Sequence, residues 1–219
     1  MFLRRRPRVL INTERLVLRL PEMADHAPWV TLRRQSEAFL LPWEPERSGD
    51  QTSPRAFRNR VHWAARAFEQ ERALALLLTR RQDGALLGGI TLDNIRKGPA
   101  QSGTVGYWIG QPHARQGYMR EALEAVVHHA FREMGLSRIE AATLPENAPS
   151  RALLEKSGFK YEGVAQSYLQ IAGRWRTHVL YANIRSDRRG RVDGTTGAGL
   201  PAGEGRRVPP EEIARQRSR

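Results

Sequence analysis

Residues 15–20 (RLVLRL) alternate apolar and polar side chains, with Leu16 and Leu18 on one face, the period of a half-buried strand. A helix follows over about 25–35. Ser53 and Pro54 open a second helix, the serine as cap and the proline at the first helical position, where its missing N–H breaks no helical bond. Its apolar stripe reads Val61, Ala64, Ala65 and Phe68. Residues 73–79 (ALALLLT) and 85–92 (ALLGGITL) are strands flanking Gln82-Asp83-Gly84, a hairpin turn signal. A fourth strand is expected over 104–109. Leu123, Val127, Ala130, Phe131 and Met134 then recur at helical spacing, and residues 138–143 (RIEAAT) return to strand. Strand, helix and strand in that order cross over right-handed and pair in parallel. A short helix over 149–157 and a closing hairpin, 159–171 with 174–184 around Ala172-Gly173, complete the pattern. The sum is an α+β fold: a mostly antiparallel sheet with one parallel pair in its middle.

The chemistry concentrates in two stretches that bracket the crossover. Residues 106–119 read GYWIGQPHARQGYM, a strand running into a turn that opens a helix. Ala114, Arg115, Gln116, Gly117, Tyr118 and Met119 can present successive backbone N–H groups to a diphosphate, helped by the partial positive charge of the helix N-terminus. Gly117 lets the backbone approach closely. Residues 147–159 read NAPSRALLEKSGF, placing Asn147 and Ser150 at a helix start. Both are ordinary capping residues. Asn147 also suits the amide-rich arm of pantetheine, and the Ser150 hydroxyl suits a leaving thiolate. Together the two stretches suggest a coenzyme A site.

Residues 15–184 resemble the GNAT superfamily of acyl-CoA-dependent N-acetyltransferases, and within it the RimJ-type enzymes that acetylate the N-terminal amine of ribosomal proteins. The likeness lies in TERLVLR at 13–19, LPWEP at 41–45, GGITLDN at 88–94, GYWIG at 106–110 and YEGVAQSYLQIAGRWRTHVLYA at 161–182. It implies helices on both faces of the sheet and a parallel pair splayed to hold acetyl-CoA, with the pyrophosphate on the 114–119 loop. Asn147 then contacts the coenzyme, Ser150 faces the thiolate, and a backbone N–H near Trp108, Ile109 and Gly110 polarises the thioester oxygen. The implied reaction is direct attack of a neutral amine in a ternary complex. Two features depart from the family pattern: Ala114 and Met119 stand at the ends of the pyrophosphate loop, and Leu154 replaces a tyrosine that serves many relatives as general acid. Ser150 is therefore the candidate acid. For the base, Glu140 leads because it interrupts an apolar strand, with Glu44, Glu71, Asp93 and His113 as alternatives. Trp43, Glu44 and Trp175 are expected to line the acceptor groove, and His178 is read as structural.

Composition adds partners and limits. The chain has no cysteine, which excludes disulfides, thiolate metal sites and a cysteine acyl-enzyme; no metal is expected. The formal net charge of +13 favours an anionic partner such as a phosphorylated cofactor or an RNA-containing assembly. Residues 1–12 read as a basic arm, 13–185 as the acetyltransferase domain, and 186–219, rich in Gly, Pro and Arg, as a disordered tail. The arm and tail support a second reading, a ribosome- or RNA-associated binding module that has kept the fold but lost transfer. A third is acetyl transfer to a small-molecule amine. The start, MFLRRRPRVL, lacks an apolar core of signal-peptide length, and no apolar run approaches the roughly 20 residues of a membrane span, so a cytoplasmic protein without membrane contact is expected.

Overall fold

The computed structural model describes residues 9–46 and 49–188. Eight strands form one sheet: β1 (Val9–Asn12), β2 (Leu16–Arg19), β3 (Leu74–Arg80), β4 (Leu86–Arg96), β5 (Ser102–Ile109), β6 (Arg138–Thr143), β7 (Lys160–Ile171) and β8 (Arg174–Ile184), in spatial order β1-β2-β3-β4-β5-β6-β8-β7. The helices are α1 (His26–Gln35), α2 (Glu37–Leu40), α3 (Pro54–Glu69), α4 (Tyr118–Arg132) and α5 (Ala148–Lys156). Every adjacent pair is antiparallel except β5 with β6. The parallel pair falls where the strand-helix-strand pattern predicts it, since α4 carries the chain across the sheet between them.

Two hydrophobic clusters cover the two faces. Leu16, Leu18, Leu76, Leu78, Ile90, Leu92 and Val105 meet Met119, Ala122, Leu123, Val126 and Ala130 of α4. On the other face Trp29 and Leu32 of α1 and Phe57 of α3 pack on Leu77 and Leu86. Alternation along β3 explains the division, because Leu76 and Leu78 point to one side and Leu77 to the other. Each large apolar side chain so buried contributes about 1.5–3 kcal/mol. The α3 cap is as expected: Ser53 Oγ accepts from the Ala56 N–H at 3.2 Å. Its buried positions are Phe57, Ala64 and Ala67, so the stripe begins one turn earlier than the expected one and Ala65 stands at its edge.

Three features go beyond the sequence pattern. Val9–Asn12 pairs with β2 and extends the sheet by an edge strand. The strand β4 continues to Arg96 through an irregularity after Asp93, where Asn94 takes a left-handed φ of 49°. The α2 turn was not anticipated; it is followed by a 3-10 turn at Leu41–Trp43. Residues 1–8 and the tail beyond Arg188 lie outside the described residues.

The parallel pairing is short. It runs from Ser102 with Arg138 to Thr104 with Glu140 and stops there. Past that point each strand stays with its outer neighbour, β5 with β4 out to Ile109 and β6 with β8 out to Thr143. The β5 end is held outward by close packing at glycines. A Cβ on Gly110 would come within 2.4 Å of Leu32 Cδ1, and one on Gly89 within 2.7 Å of Trp108 Nε1. The two strands therefore open into a slot.

Candidate active site

One wall of the slot is β5 and the turn that follows it. The Gly110 N–H donates to the Leu87 carbonyl of β4 at 2.8 Å. Alternation along the strand turns the Trp108 N–H the same way and leaves the Ile109 and Tyr107 amides directed into the slot. Trp108 itself sits against α1, beneath the Arg33 guanidinium at 5.0 Å from its ring. Of the three expected oxyanion donors, only the Ile109 N–H faces the opening. Gly106, exposed in mid-strand, has nothing within 4 Å of where a Cβ would lie, so the slot has room there.

Beyond a 3-10 turn at Gln111–His113, the chain reaches α4 through two left-handed residues, Arg115 at φ 61° and Gly117 at φ 82°. That alternation curls the backbone into a concave nest of amides. Among the described residues, the N–H groups of residues 115–120 have no hydrogen-bond acceptor. Those of Tyr118, Met119 and Arg120 are the first-turn donors that any helix leaves open. The Met119 side chain is buried in the core and pins the turn from below.

Glu121 holds the turn from behind. Its carboxylate accepts from Thr13 Oγ1 at 2.6 Å, from the Arg15 N–H at 2.8 Å and from Arg15 Nε at 2.6 Å. Arg15 in turn donates to the Gln116 carbonyl at 3.1 Å and lies 4.6 Å over the Tyr118 ring. Burial raises the Glu121 pKa, but the hydrogen bonds and charge from Thr13 and Arg15 outweigh it and hold the carboxyl below its ordinary range. His113, one of the alternative bases, stands in the turn after β5, and burial and Arg80 push its pKa down.

The other wall is β6 and α5. Asn147 caps α5, its Oδ1 accepting from the Ser150 N–H at 3.1 Å, and among the described residues its side-chain NH₂ has no acceptor. Ser150 Oγ lies 2.9 Å from Tyr107 Oη, a bond that spans the slot from α5 to β5. Burial pushes the Tyr107 phenol up to about 12, partly offset by the Ser150 hydroxyl, so the phenol keeps its proton. Tyr107 is a site residue that sequence reasoning did not single out, although it stands inside the GYWIG motif. Leu154 is 1 % exposed and packs in the core, and it offers no polar group to the slot.

The remaining expected residues divide. Glu140 stands opposite Thr104, at the closed end of the slot, with Oε1 on Arg138 Nε at 2.8 Å and Oε2 on Arg96 Nη2 at 3.1 Å. Both carboxylate oxygens are thus engaged by guanidinium groups. Glu71 is exposed beside Lys97 at the far end of α3. Asp93 lies across from Thr104, with burial raising its pKa. Glu44 is gripped by both Arg33 guanidinium nitrogens, and its carbonyl accepts from the Ala172 N–H at 3.1 Å. That contact joins the 41–46 segment to the tip of the β7–β8 hairpin. Trp43 is half-buried in that segment, and Trp175 near the hairpin tip leaves 63 % of its surface exposed. The imidazole of His178 is buried, with Nδ1 donating to the Arg176 carbonyl at 2.9 Å, and burial lowers its pKa. Among the described residues no group of three or more His, Asp or Glu side chains is placed to hold a metal ion, and no helix is long and apolar enough to cross a membrane.

A mixed sheet with one splayed parallel pair, an amide nest at one lip and a capped short helix at the other is the architecture of an N-acetyltransferase. Comparison with known proteins agrees. The family profile described as acetyltransferase (GNAT) domain matches residues 15–160. The [ribosomal protein uS5]-alanine N-acetyltransferase of Escherichia coli (strain K12) is 34 % identical over 181 residues, 83 % of this chain and 93 % of that protein. A solved structure of Mycobacterium smegmatis RimJ in complex with CoA-disulfide superposes with a TM-score of 0.75 at 31 % identity, covering 80 % of this chain and 84 % of that one. The ribosomal-protein-S5-alanine acetyltransferase from Vibrio fischeri gives the same TM-score at 28 % identity, over 82 % of this chain and 98 % of its own. The chain belongs to the GNAT acetyltransferase family, among its RimJ-type members.

Proposed function

We propose that this enzyme transfers the acetyl group of acetyl-CoA to the N-terminal α-amine of a protein, a ribosomal protein being the acceptor its relatives suggest. The observation that carries the reading is the slot itself: open amides over residues 115–120 at one lip, Asn147 and Ser150 at the other, and Tyr107 linking them. The nest and the α4 N-terminus bind the diphosphate, and the Asn147 NH₂ holds the pantetheine arm. Acetyl-CoA supplies the activated acyl carbon.

The Ile109 N–H donates to the thioester oxygen as negative charge develops there. Holding amine and thioester together makes the attack effectively unimolecular, worth about 7–11 kcal/mol of barrier. The nitrogen–carbon bond forms, the carbon–sulfur bond breaks, the sulfur takes the Ser150 hydroxyl proton, and the proton the amine releases to water restores the serine hydroxyl. Tyr107, kept protonated, donates to Ser150 Oγ and so turns the serine hydrogen toward the slot. With Glu140 engaged by Arg96 and Arg138, no carboxylate is needed as base: an α-amine with a reference pKa of about 7.7–8.0 is substantially neutral near pH 7. A lysine amine at about 10.4 is not. The exposed Trp175 and the neighbouring Trp43 line the approach for a peptide.

The test is acetyl-CoA-dependent mass gain on N-terminal peptides, internal-lysine peptides and aminoglycosides, with calorimetry of acetyl-CoA alongside. Mass gain confined to α-amines is expected. Transfer only to aminoglycosides or lysines overturns the acceptor assignment, and absence of coenzyme binding overturns the slot.

A further inference from the structure

The third helix packs Phe57, Ala64 and Ala67 inward and turns a very different surface outward. Arg55, Arg58, His62 and Arg66 are all exposed. At 3.6 residues per turn they fall within about a quarter of the helix circumference, along about 16 Å of its length. Trp63, at the border of this stripe, leaves 47 % of its surface exposed.

Folding gives no reason for this arrangement. The first turn of α3 carries Arg55 and no acidic residue, and Arg58 follows just beyond it, so cations crowd the positive end of the helix dipole. Arg55 and Arg58 are also one turn apart, a spacing at which like charges weaken a helix. Among the described residues neither they nor Arg66 have a carboxylate partner. Other arginines do find a carboxylate: Arg120 pairs with Glu124 on α4, Arg80 with Asp83, and Arg138 with Glu162. What is unfavourable to the helix alone is favourable to a polyanion, because dipole and guanidinium groups then attract the same phosphates.

We propose that the outer face of α3 is a docking surface for single-stranded RNA, with Arg55, Arg58 and Arg66 on successive phosphates and Trp63 as a stacking platform for a base. Arginine contacts to phosphate together with an exposed aromatic ring make the sequence-tolerant combination that single strands use. A membrane surface fits less well, since the apolar face of α3 is spent on the sheet and only Trp63 is left to insert. The surface is separate from the slot and independent of which amine the enzyme acetylates.

The test uses the full chain and a fluorescent 12-nucleotide oligouridine, with anisotropy titrations at several salt concentrations. The R55Q/R58Q/R66Q variant is expected to bind at least tenfold more weakly at moderate salt, and its salt slope to be shallower by about 2, three contacts at about 0.7 each. W63A should weaken binding with the slope unchanged. R206Q/R207Q/R215Q removes the same charge from the tail and serves as control. Because glutamines relieve the repulsion within α3, the first variant folds, and its acetyl transfer to a short peptide checks that. An unchanged slope in R55Q/R58Q/R66Q, or an equal change in the tail control, overturns the proposal. So does loss of binding to anionic phospholipid vesicles with oligouridine binding intact.

Discussion

The two walls of the slot meet a ligand in different currencies. The β5 wall and its turn offer main-chain amides, with Arg115 and Gln116 exposed. The α5 wall offers side chains, Asn147 and Ser150, each already fixed by one hydrogen bond. A wall of amides is specified by backbone shape and tolerates changes of residue type, which is why Ala114 and Met119 can depart from the family pattern. A wall of side chains is specified by identity. Substitutions should therefore hurt the first wall only where they alter the backbone or fill the nest, and the second wall wherever they remove an atom.

Gly117→Glu should give the largest effect. It forces a non-glycine residue to φ 82° and puts a carboxylate at the proposed diphosphate site, with a Cβ already 3.3 Å from Arg15 Nη2. Calorimetry is expected to detect no acetyl-CoA binding, a loss of more than 100-fold against the charge and sterics combined. Undiminished affinity would remove the nest from the site. Gln116→Ala, on the same turn, should change affinity less than about threefold, because it loses only the hydrogen bond from Nε2 to the Pro112 carbonyl.

Ser150→Ala comes next. Removing a general acid lowers turnover by about 100-fold, at the low end of the usual range, while the coenzyme KM should barely move. Tyr107→Phe should cost about tenfold in kcat. Added to Ser150→Ala it should cost almost nothing further, since both act through one hydroxyl. Independent, multiplying losses would break the link drawn between them.

The succession of strands and helices and the crossover with its parallel pair were legible in the sequence because each rests on local signals: period-2 runs, a Ser-Pro helix start, a glycine before a helix. The Tyr107–Ser150 bond was not, since it joins residues 43 apart that meet only because β5 and β6 diverge past Thr104. Glu140 misled for a related reason. A carboxylate breaking an apolar strand looks like a buried base, but its partner Arg96 arrives from the irregular end of β4, whose extension no periodicity announced. The edge strand Val9–Asn12 is four residues long beside a run of arginines, too short for alternation to register. The α3 stripe was present in the sequence, yet its unmatched charge became visible only once the other ion pairs were assigned.

Asn147 separates identity from shape within the second wall. Asn147→Asp keeps the oxygen that accepts from the Ser150 N–H, so stability should hold, while the lost NH₂ should raise the coenzyme KM roughly tenfold, the order of one hydrogen bond made unpaired. Asn147→Ala should lose the cap as well, about 1 kcal/mol, read as a lower midpoint in thermal melts. Equal KM values for the wild type and Asn147→Asp would show that the residue only caps.

Glu121→Gln should act more mildly than the changes to Gly117 or Ser150, and it acts on the first wall through its support. The glutamine keeps one acceptor for Thr13 but loses the charge that holds Arg15, so the turn loosens without losing an amide. Arg15 is half exposed, and the expected cost is about 1 kcal/mol at neutral pH. Because the carboxyl is held below its ordinary pKa, its contribution is complete above the unfolded value of about 4.3 and fades as pH falls through the lower folded value. The stability gap between wild type and Glu121→Gln should thus be constant from pH 6 to 8 and close below about pH 4, followed by urea melts. A gap that persists in acid would mean that the loop is held by shape alone, with the carboxylate contributing no charge.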